Sequence, residues 1–430
     1  MRRLLAALAL IVGFTAFARA GEYDFDLSEI EKKPYHFGGY GELRPVLLGL
    51  DRDAALYRLR FYNRDEGETL PEYNAVLQLE GGIEQGMTRL FVMTNTGYQN
   101  SYLGATLTTT AYEAYLSLKP APSFTFDAGK KTLKWGKGYA WNPVAFVDRP
   151  KNPDEPDLNL EGFIVASLDY IKSFDGPLKT LSLTPVLIPV SEHMNDDFGE
   201  RGHLNTAGKV YLLLYDTDID FLFLTGASRP WRIGMDFSRN ITTNFEVHGE
   251  LARINEFTRS FIGSDGAAHQ TVYDAKSWLL GLRYLTEQET TYIAEYYRNG
   301  TGFTEQELRN FFSFVHDAYD AWLVSGNDAL LQRAAGAAER GYVRPNAGQK
   351  YLYLRVSQKD PFGILYWTPA VTAIVNADDW SYSLSPEIMY SGITNLELRL
   401  KAAVLAGGRL TEFGEKQNDL RAELRARYYF

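Results

Sequence analysis

The chain has 430 residues, no cysteine and a formal net charge of −10 at pH 7. The missing cysteines exclude disulfides, thiolate zinc sites, iron–sulfur clusters and covalently attached haem, and the acidic balance argues against nucleic acid as a partner. Aromatic residues make up 14% of the chain, 28 of them tyrosine, a supply of amphipathic rings of the kind a membrane interface uses.

Arg2 and Arg3 precede an apolar run, Leu4 to Phe17, and Ala18-Arg19-Ala20 follows it. This order predicts a secretory signal over 1–20 and a mature start near Gly21. The run is short for a membrane span, and no later stretch holds about 18 uninterrupted apolar residues, so no transmembrane helix is expected. No cysteine stands beside the cleavage site, which argues against a lipoprotein. Residues 21–55 read as a periplasmic lead-in or an extra N-terminal element. They include "YHFGGYGELRP" (35–45), which is either an extra element inside or beside the body that follows or a sign that the strand count is off.

From residue 56 onward a period of two recurs, the side-chain period of a β-strand. "LYRLRFYNR" (56–64) reads as the first strand. In "YNAVLQLE", Tyr73, Ala75, Leu77 and Leu79 alternate with Asn74, Gln78 and Glu80. "NFEVHGEL", "YLYLRVS", "WSYSLSPEIMY" and "NLELRLKAAV" alternate in the same way, and "LRAELRARYYF" closes the chain. Such segments are about 9 to 13 residues long, with aromatics such as Trp380, Tyr390, Tyr428 and Phe430 near their ends, which suits tilted strands crossing a bilayer between aromatic girdles. The opposite face carries full charges, which a packed core does not hold unpaired and a watery lumen does. The expected fold is all-β: one transmembrane antiparallel barrel over 56–430.

Short inner turns are expected at 82–86, 119–122, 174–176, 216–218, 238–241, 286–289, 359–362 and 390–392. Longer outer loops fall at 97–107, 135–160, 191–206, 256–271, 301–348 and 405–417, with two short ones near 227–230 and 377–379. The count closes at about 18 strands, bracketed by roughly 16 and 20, a size that leaves room for an aqueous lumen. In the 301–348 loop, Thr304 and Glu307 form a capping box, and Leu308, Phe311, Val315, Tyr319 and Trp322 follow at helical spacing. A second short helix runs from Asn327 to a stop at Gly341. This helical hairpin (304–341) reads as a lid or docking surface, or as a loop that closes the outer face by packing on its neighbours.

No enzyme signature is present, no cofactor is expected, and the six histidines are scattered. His193 with Asp196 and Asp197 reads as a solvated loop. Neither Asn195-Asp196-Asp197 nor the acidic "NPDEPD" follows a calcium-loop spacing. The most distinctive stretch is "GKKTLKWGKGYAWNP" (129–143). Here Gly136 and Gly138 allow tight turns, and Trp135, Tyr139 and Trp141 can pin a loop to a wall. Asn142-Pro143 marks a turn, while Lys130, Lys134 and Lys137 bring positive charge. Folded inward, it would constrict a pore; left at the rim, it would only brace the barrel.

This stretch resembles proteobacterial outer-membrane barrels in which a G-[KR]-x-x-x-x-W-G strand leads into an aromatic Asn-Pro loop. More loosely it is similar to the alginate-export porin family, whose arginine-rich character it lacks. The terminal Leu420, Leu424, Tyr428 and Phe430 resemble the end signature that outer-membrane assembly machinery reads. These resemblances imply a porin-like barrel in the bacterial outer membrane. On the strand count, inward Arg58 and Arg60 lie beside Arg421, Arg425 and Arg427, with Arg399 and Lys401 one strand on. Glu80, Glu113, Glu246, Glu250 and Glu295 lie on more distant strands. The resulting basic wall either orients anionic solutes or forms a ladder of ion pairs with Glu397 and Glu423. Expected partners are outer-membrane lipid, the assembly machinery and small polar solutes. The contrasting reading is a non-conducting sheath with a periplasmic or membrane partner, from which any haem would have to come.

Overall fold

The computed structural model describes residues 33–64 and 66–430; the signal expected at 1–20 lies outside them. The strands in chain order are β1 (Tyr35–Leu50), β2 (Thr69–Gln85), β3 (Thr88–Ser101), β4 (Gly104–Ala121), β5 (Phe124–Lys131), β6 (Phe163–Ser173), β7 (Leu178–Val190), β8 (His203–Leu214) and β9 (Thr217–Thr225). They continue as β10 (Arg232–Thr242), β11 (Phe245–Ile262), β12 (Ala268–Leu285), β13 (Thr290–Arg298), β14 (Lys350–Gln358), β15 (Trp367–Asn376), β16 (Tyr382–Ile393), β17 (Leu396–Ala406) and β18 (Asn418–Tyr429). Each pairs antiparallel with the next, and β18 returns to β1 through Glu42↔Arg427, Leu43↔Ala426 and Leu47↔Ala422, so the 18-stranded sheet closes.

Alternation decides which face meets what. Leu43, Leu77, Phe126, Phe221, Leu280, Leu354, Leu400 and Leu424 all point outward and stay exposed. Their strand neighbours Glu42, Gln78, Asp127, Asp220, Tyr353, Lys401 and Glu423 are buried inside. An apolar belt of this extent is unsuited to water. A closed barrel has no edge and satisfies its backbone internally, the condition for spanning a bilayer.

The strand number matches the sequence expectation, but the first strand does not. The segment 56–64 is not a strand: Ala55–Phe61 is a short helix, α1, on the outer β1–β2 connection. The barrel begins instead at Tyr35, in the residues assigned to a lead-in. The physical reason is that α1 has two apolar sides. Tyr57 and Phe61 pack on Val46, Leu48, Leu50 and Leu70 of the barrel, while Ala55, Leu56 and Leu59 pack on the outer helices. A helix apolar on both sides, with Arg58 and Arg60 between, imitates strand alternation over so short a run. In β1, Gly38, Gly39, Gly41 and Pro45 dilute the strand signal.

The helical hairpin forms as the spacing predicts. Helix α2 (Glu305–Ser325) starts in a complete Thr304/Glu307 capping box, and α3 (Ala329–Ala337) runs into a π-turn that Gly341 breaks at φ 144°. Leu308, Phe311, Phe312 and Val315 share one buried cluster with Leu331, Ala334 and Tyr342. Tyr342 stacks on Phe303 and Phe311 at centroid distances of 3.9 and 4.0 Å. His316 ties the cap to the rim: its Nε2 lies 3.0 Å from Glu415, and its Nδ1 lies 3.1 Å from Arg58. Three outer connections, those carrying α1, α2 with α3, and Glu415, therefore close into one cap.

Candidate functional site

The longest connection without regular structure, 132–162 between β5 and β6, folds into the lumen and touches most of its circumference. Its first limb is shaped by Asp148, whose carboxylate accepts the backbone N–H groups of Leu133, Lys134 and Trp135 at 2.8 to 3.1 Å. Burial pushes that carboxyl up, against the pull of those three donors. Gly136 has φ 95°, and a Cβ there would sit 2.6 Å from Asn142 Nδ2 and 2.8 Å from Glu250 Oε1. A Cβ on Gly138 would overlap the Trp141 carbonyl. Both glycines are thus required by close approach. Trp135 is buried with Val144, Phe146 and Val165 on the β6–β11 side. Trp141 is buried with Leu279, Ile293, Tyr351 and Tyr353 on the β12–β15 side, its ring 5.1 Å from Tyr297.

The lumen wall along β9 to β13 is acidic, and it holds this limb through the limb's own backbone. Glu250 Oε1 accepts from Lys137 N and Gly138 N, both at 2.6 Å, and Oε2 accepts from Val144 N at 3.2 Å. Glu295 accepts from Tyr139 N and, at 2.9 Å, from Ala140 N; His248 Nε2 lies 2.9 Å from it. Lys137 reaches into a pair of buried aspartates, 3.0 Å from Asp220 and 4.0 Å from Asp236. Burial works against the Lys137 charge, and the two carboxylates more than offset it, holding its pKa above the ordinary lysine value. Lys151 donates to the carbonyls of Gly138 and Tyr139 and closes the limb from within.

The opposite wall, along β16 to β1, is basic, and it takes the second limb through one side chain that the sequence reading did not single out, Glu155. Its carboxylate meets Arg399 at 2.5 Å, Arg425 more closely still, and Arg44 at 3.7 Å. Lys401 donates to the Asp154 carbonyl at 2.7 Å. Seven cations, Arg44, Arg355, Arg399, Lys401, Arg421, Arg425 and Arg427, share five carboxylates, Glu42, Asp154, Glu155, Glu387 and Glu423. The wall is therefore an ion-pair network and still carries surplus positive charge. Arg58 and Arg60 are not in it. They sit on α1 in the cap, where Arg58 also meets Asp53 at 3.1 Å and Arg60 meets Gln417. Their place beside β18 is taken by Glu42 and Arg44 of β1.

Burial would raise the Glu155 carboxyl, but the hydrogen bond and charge of Arg425, with Arg399 and Arg44 behind, bring it down to about 2 from 4.5. A depressed carboxylate contributes stability that is fully present above the ordinary value of 4.5 and is lost as pH falls through about 2. The shift corresponds to about 3 kcal/mol of docking free energy. Hydrogen-exchange protection of 152–158 is therefore expected to hold from pH 8 to about 5 and to decline progressively as pH falls from about 4.5 to about 2. Release of the segment near pH 5 would contradict this account of Glu155.

Between the two limbs and the β3–β4 wall lies a cavity of about 300 Å³, lined by Lys134, Arg149, Lys151, Glu113, Asp157 and Asn142 among others. Its lining mixes apolar side chains such as Met93 and Leu158 with charges of both signs. Of the remaining stretch residues, Lys130 pairs with Glu161 at the loop's far end, Lys134 takes a left-handed φ of 56°, and Tyr139 is pushed up to about 12 by burial and by Asp157. Pro143 precedes the buried Val144. The 195–197 run holds no metal-type cluster: Asn195 caps Ile164 and Pro189, and Asp196 and Asp197 pair with Arg201 and Arg149. No group of three or more such side chains able to hold a metal occurs among the described residues. Leu420, Leu424, Tyr428 and Phe430 all lie exposed on the outer face of the closing strand. Phe430 exchanges two backbone hydrogen bonds of 3.1 Å with Gly39.

No protein-family profile matches the sequence, nor does the sequence of any curated protein. The fold has solved counterparts. Pseudomonas aeruginosa OccK5 (OpdH) aligns with a TM-score of 0.52 at 13% identity, over 92% of this chain and 98% of its own. Pseudomonas aeruginosa OpdQ aligns at 0.51 and 12% identity, over 92% and 98%. Acinetobacter baumannii OccAB1 aligns at 0.51 and 11%, over 92% and 96%. The likeness is one of architecture. With the apolar belt and the short-turn, long-loop polarity, the fold is that of a bacterial outer-membrane barrel.

Proposed function

We propose that this protein is a channel for small polar solutes, with the 132–162 loop as its constriction and a preference for anions along the β16–β1 wall. The observation that supports this best is the clamping of one loop between two walls of opposite charge. A loop bonded by Glu250 and Glu295 on one side and by Arg399 and Arg425 on the other has a fixed position in the lumen. Fixed dipoles and charges across a narrow passage orient a polar solute and select by sign. The surplus cations of the basic wall set the sign. The protein acts as a passage and not as an enzyme. The segment 1–20 directs export, and Leu420, Leu424, Tyr428 and Phe430 present the seam strand to the assembly machinery.

The test is single-channel recording of the purified barrel in planar bilayers under a salt gradient. Stable conductance steps with a reversal potential of anionic sign are expected. Cation preference would remove the anionic part of the reading. Silence from a correctly folded, heat-modifiable barrel would overturn the channel reading and favour the sheath filled by a partner.

A further inference from the structure

At the periplasmic end, seven of the eight turns are short: 86–87, 122–123, 174–177, 215–216, 243–244, 286–289 and 394–395. The eighth, 359–366 between β14 and β15, reads KDPFGILY and is the longest at this end. It projects large apolar groups: Phe362 is 97% exposed, Leu365 60%, and Ile364 and Tyr366 54% each.

The turn is built, not loose. Asp360 N donates to the Trp367 carbonyl at 2.9 Å, Gly363 N to Asp360 at 3.2 Å and Ile364 N to Pro361 at 3.0 Å. Ser391 N on β16 donates to the Tyr366 carbonyl at 3.0 Å, which fastens the turn to its neighbour strand. The Asp360 carboxylate accepts a hydrogen bond from Tyr366 N, which ties the two ends of the turn together. Asp360, Phe362 and Tyr366 hold left-handed φ values of 47°, 56° and 70°, a conformation that non-glycine residues adopt at a cost. A strained turn whose result is a wholly exposed phenylalanine is unfavourable on both counts in water.

The turn continues a surface already assigned to lipid. Trp367 opens the outward row of β15, its ring lies 4.8 Å from Tyr390 on β16, and Val356, Val371 and Ile388 extend that face up the barrel. A Trp–Tyr pair at the end of an apolar belt marks the bilayer interface. Lys359, beside the turn and mostly exposed, suits the phosphate level. We propose that the 360–366 turn is an interfacial anchor whose Phe362, Ile364 and Leu365 insert into the periplasmic leaflet just below the belt. The anchor is independent of whether the lumen conducts.

The cysteine-free chain makes the test direct. Phe362→Cys and, separately, Ile364→Cys are spin-labelled in proteoliposomes of phosphatidylethanolamine and phosphatidylglycerol. Collision rates with oxygen and with a water-soluble nickel chelate are then compared. Leu400→Cys in the belt is the lipid reference, and Val324→Cys, 91% exposed on the cap, is the water reference. The expected result is an oxygen-to-nickel ratio at positions 362 and 364 severalfold above that at 324 and close to that at 400. Nickel accessibility equal to position 324 would overturn the proposal. So would labels shielded from both reagents in native outer-membrane vesicles but open to nickel in liposomes, which would assign the turn to a periplasmic protein.

Discussion

Replacing Glu250 by glutamine is expected to free the aromatic limb of the constriction loop while leaving the barrel closed. Glu250 accepts three backbone N–H groups of that limb, from Lys137, Gly138 and Val144. An amide keeps one acceptor oxygen and turns its nitrogen, a donor, toward donors. Each such hydrogen bond contributes about 0.5–1.5 kcal/mol, and leaving a buried donor without its acceptor costs about 1–3 kcal/mol, so a net loss of about 2–4 kcal/mol shifts the docked-to-free ratio by roughly one and a half to three orders of magnitude. The open-channel current should rise and become noisy, and hydrogen-exchange protection of 133–147 should fall while that of β10 to β12 stays. Glu295→Gln should act in the same direction through Tyr139 and Ala140. Glu246→Gln is the control: it lies on the same strand, and its contacts are Ser238 Oγ at 3.1 Å and His248 Nδ1 at 3.6 Å, neither of them in the loop. If E250Q leaves both current and protection as in the unaltered chain, Glu250 does not anchor the loop.

What could be read from sequence follows the range of the interaction. Strand alternation is local, so the lipid face, the lumen face and most turns were legible, including inward Glu250, Glu295, Arg399 and Arg425. The capping box at Thr304 and the helical spacing to Trp322 are local too. The glycines and tryptophans of 129–143 marked a turned, pinned loop, but left open whether it folds inward or stays at the rim. What the sequence hid was long-range. Glu155 meets Arg425 across 270 positions, and nothing in "NPDEPD" distinguishes a docked glutamate from a solvated one. The opposed charges were legible as two walls; that their first use is to hold the loop required the closed ring. The misplaced first strand has a different origin. Helix α1 is apolar toward both the barrel and the cap, and over seven residues a period of two and a two-sided helix look alike. Taking it as the first strand put Arg58 and Arg60 in a wall where the structure has Glu42 and Arg44.

The basic wall yields the second large effect, and its members are not equivalent. Arg421 pairs with Glu423 at the part-exposed end of the network, so Arg421→Gln should cost less than about 1 kcal/mol and only lower the anion preference. Arg399 and Arg425 are the close partners of Glu155. With both changed to glutamine, Glu155 keeps only Arg44, 3.7 Å away. A buried carboxylate stripped of its partners costs about 3–5 kcal/mol. Segment 152–158 should then leave the wall, and the reversal potential should move toward cation preference. Glu155→Gln separates charge from docking. It removes a negative charge from a sector already in positive surplus, while Glu250 and Glu295 still hold the other limb. Its anion preference should therefore increase, opposite in sign to the arginine variants. High salt screens the selectivity effect at this watery wall but leaves the buried contacts of Glu155 largely in place. A drop in anion preference in E155Q at low salt would mean that Glu155 acts by shaping the passage, with the surplus of arginine charge playing no part in choosing the ion.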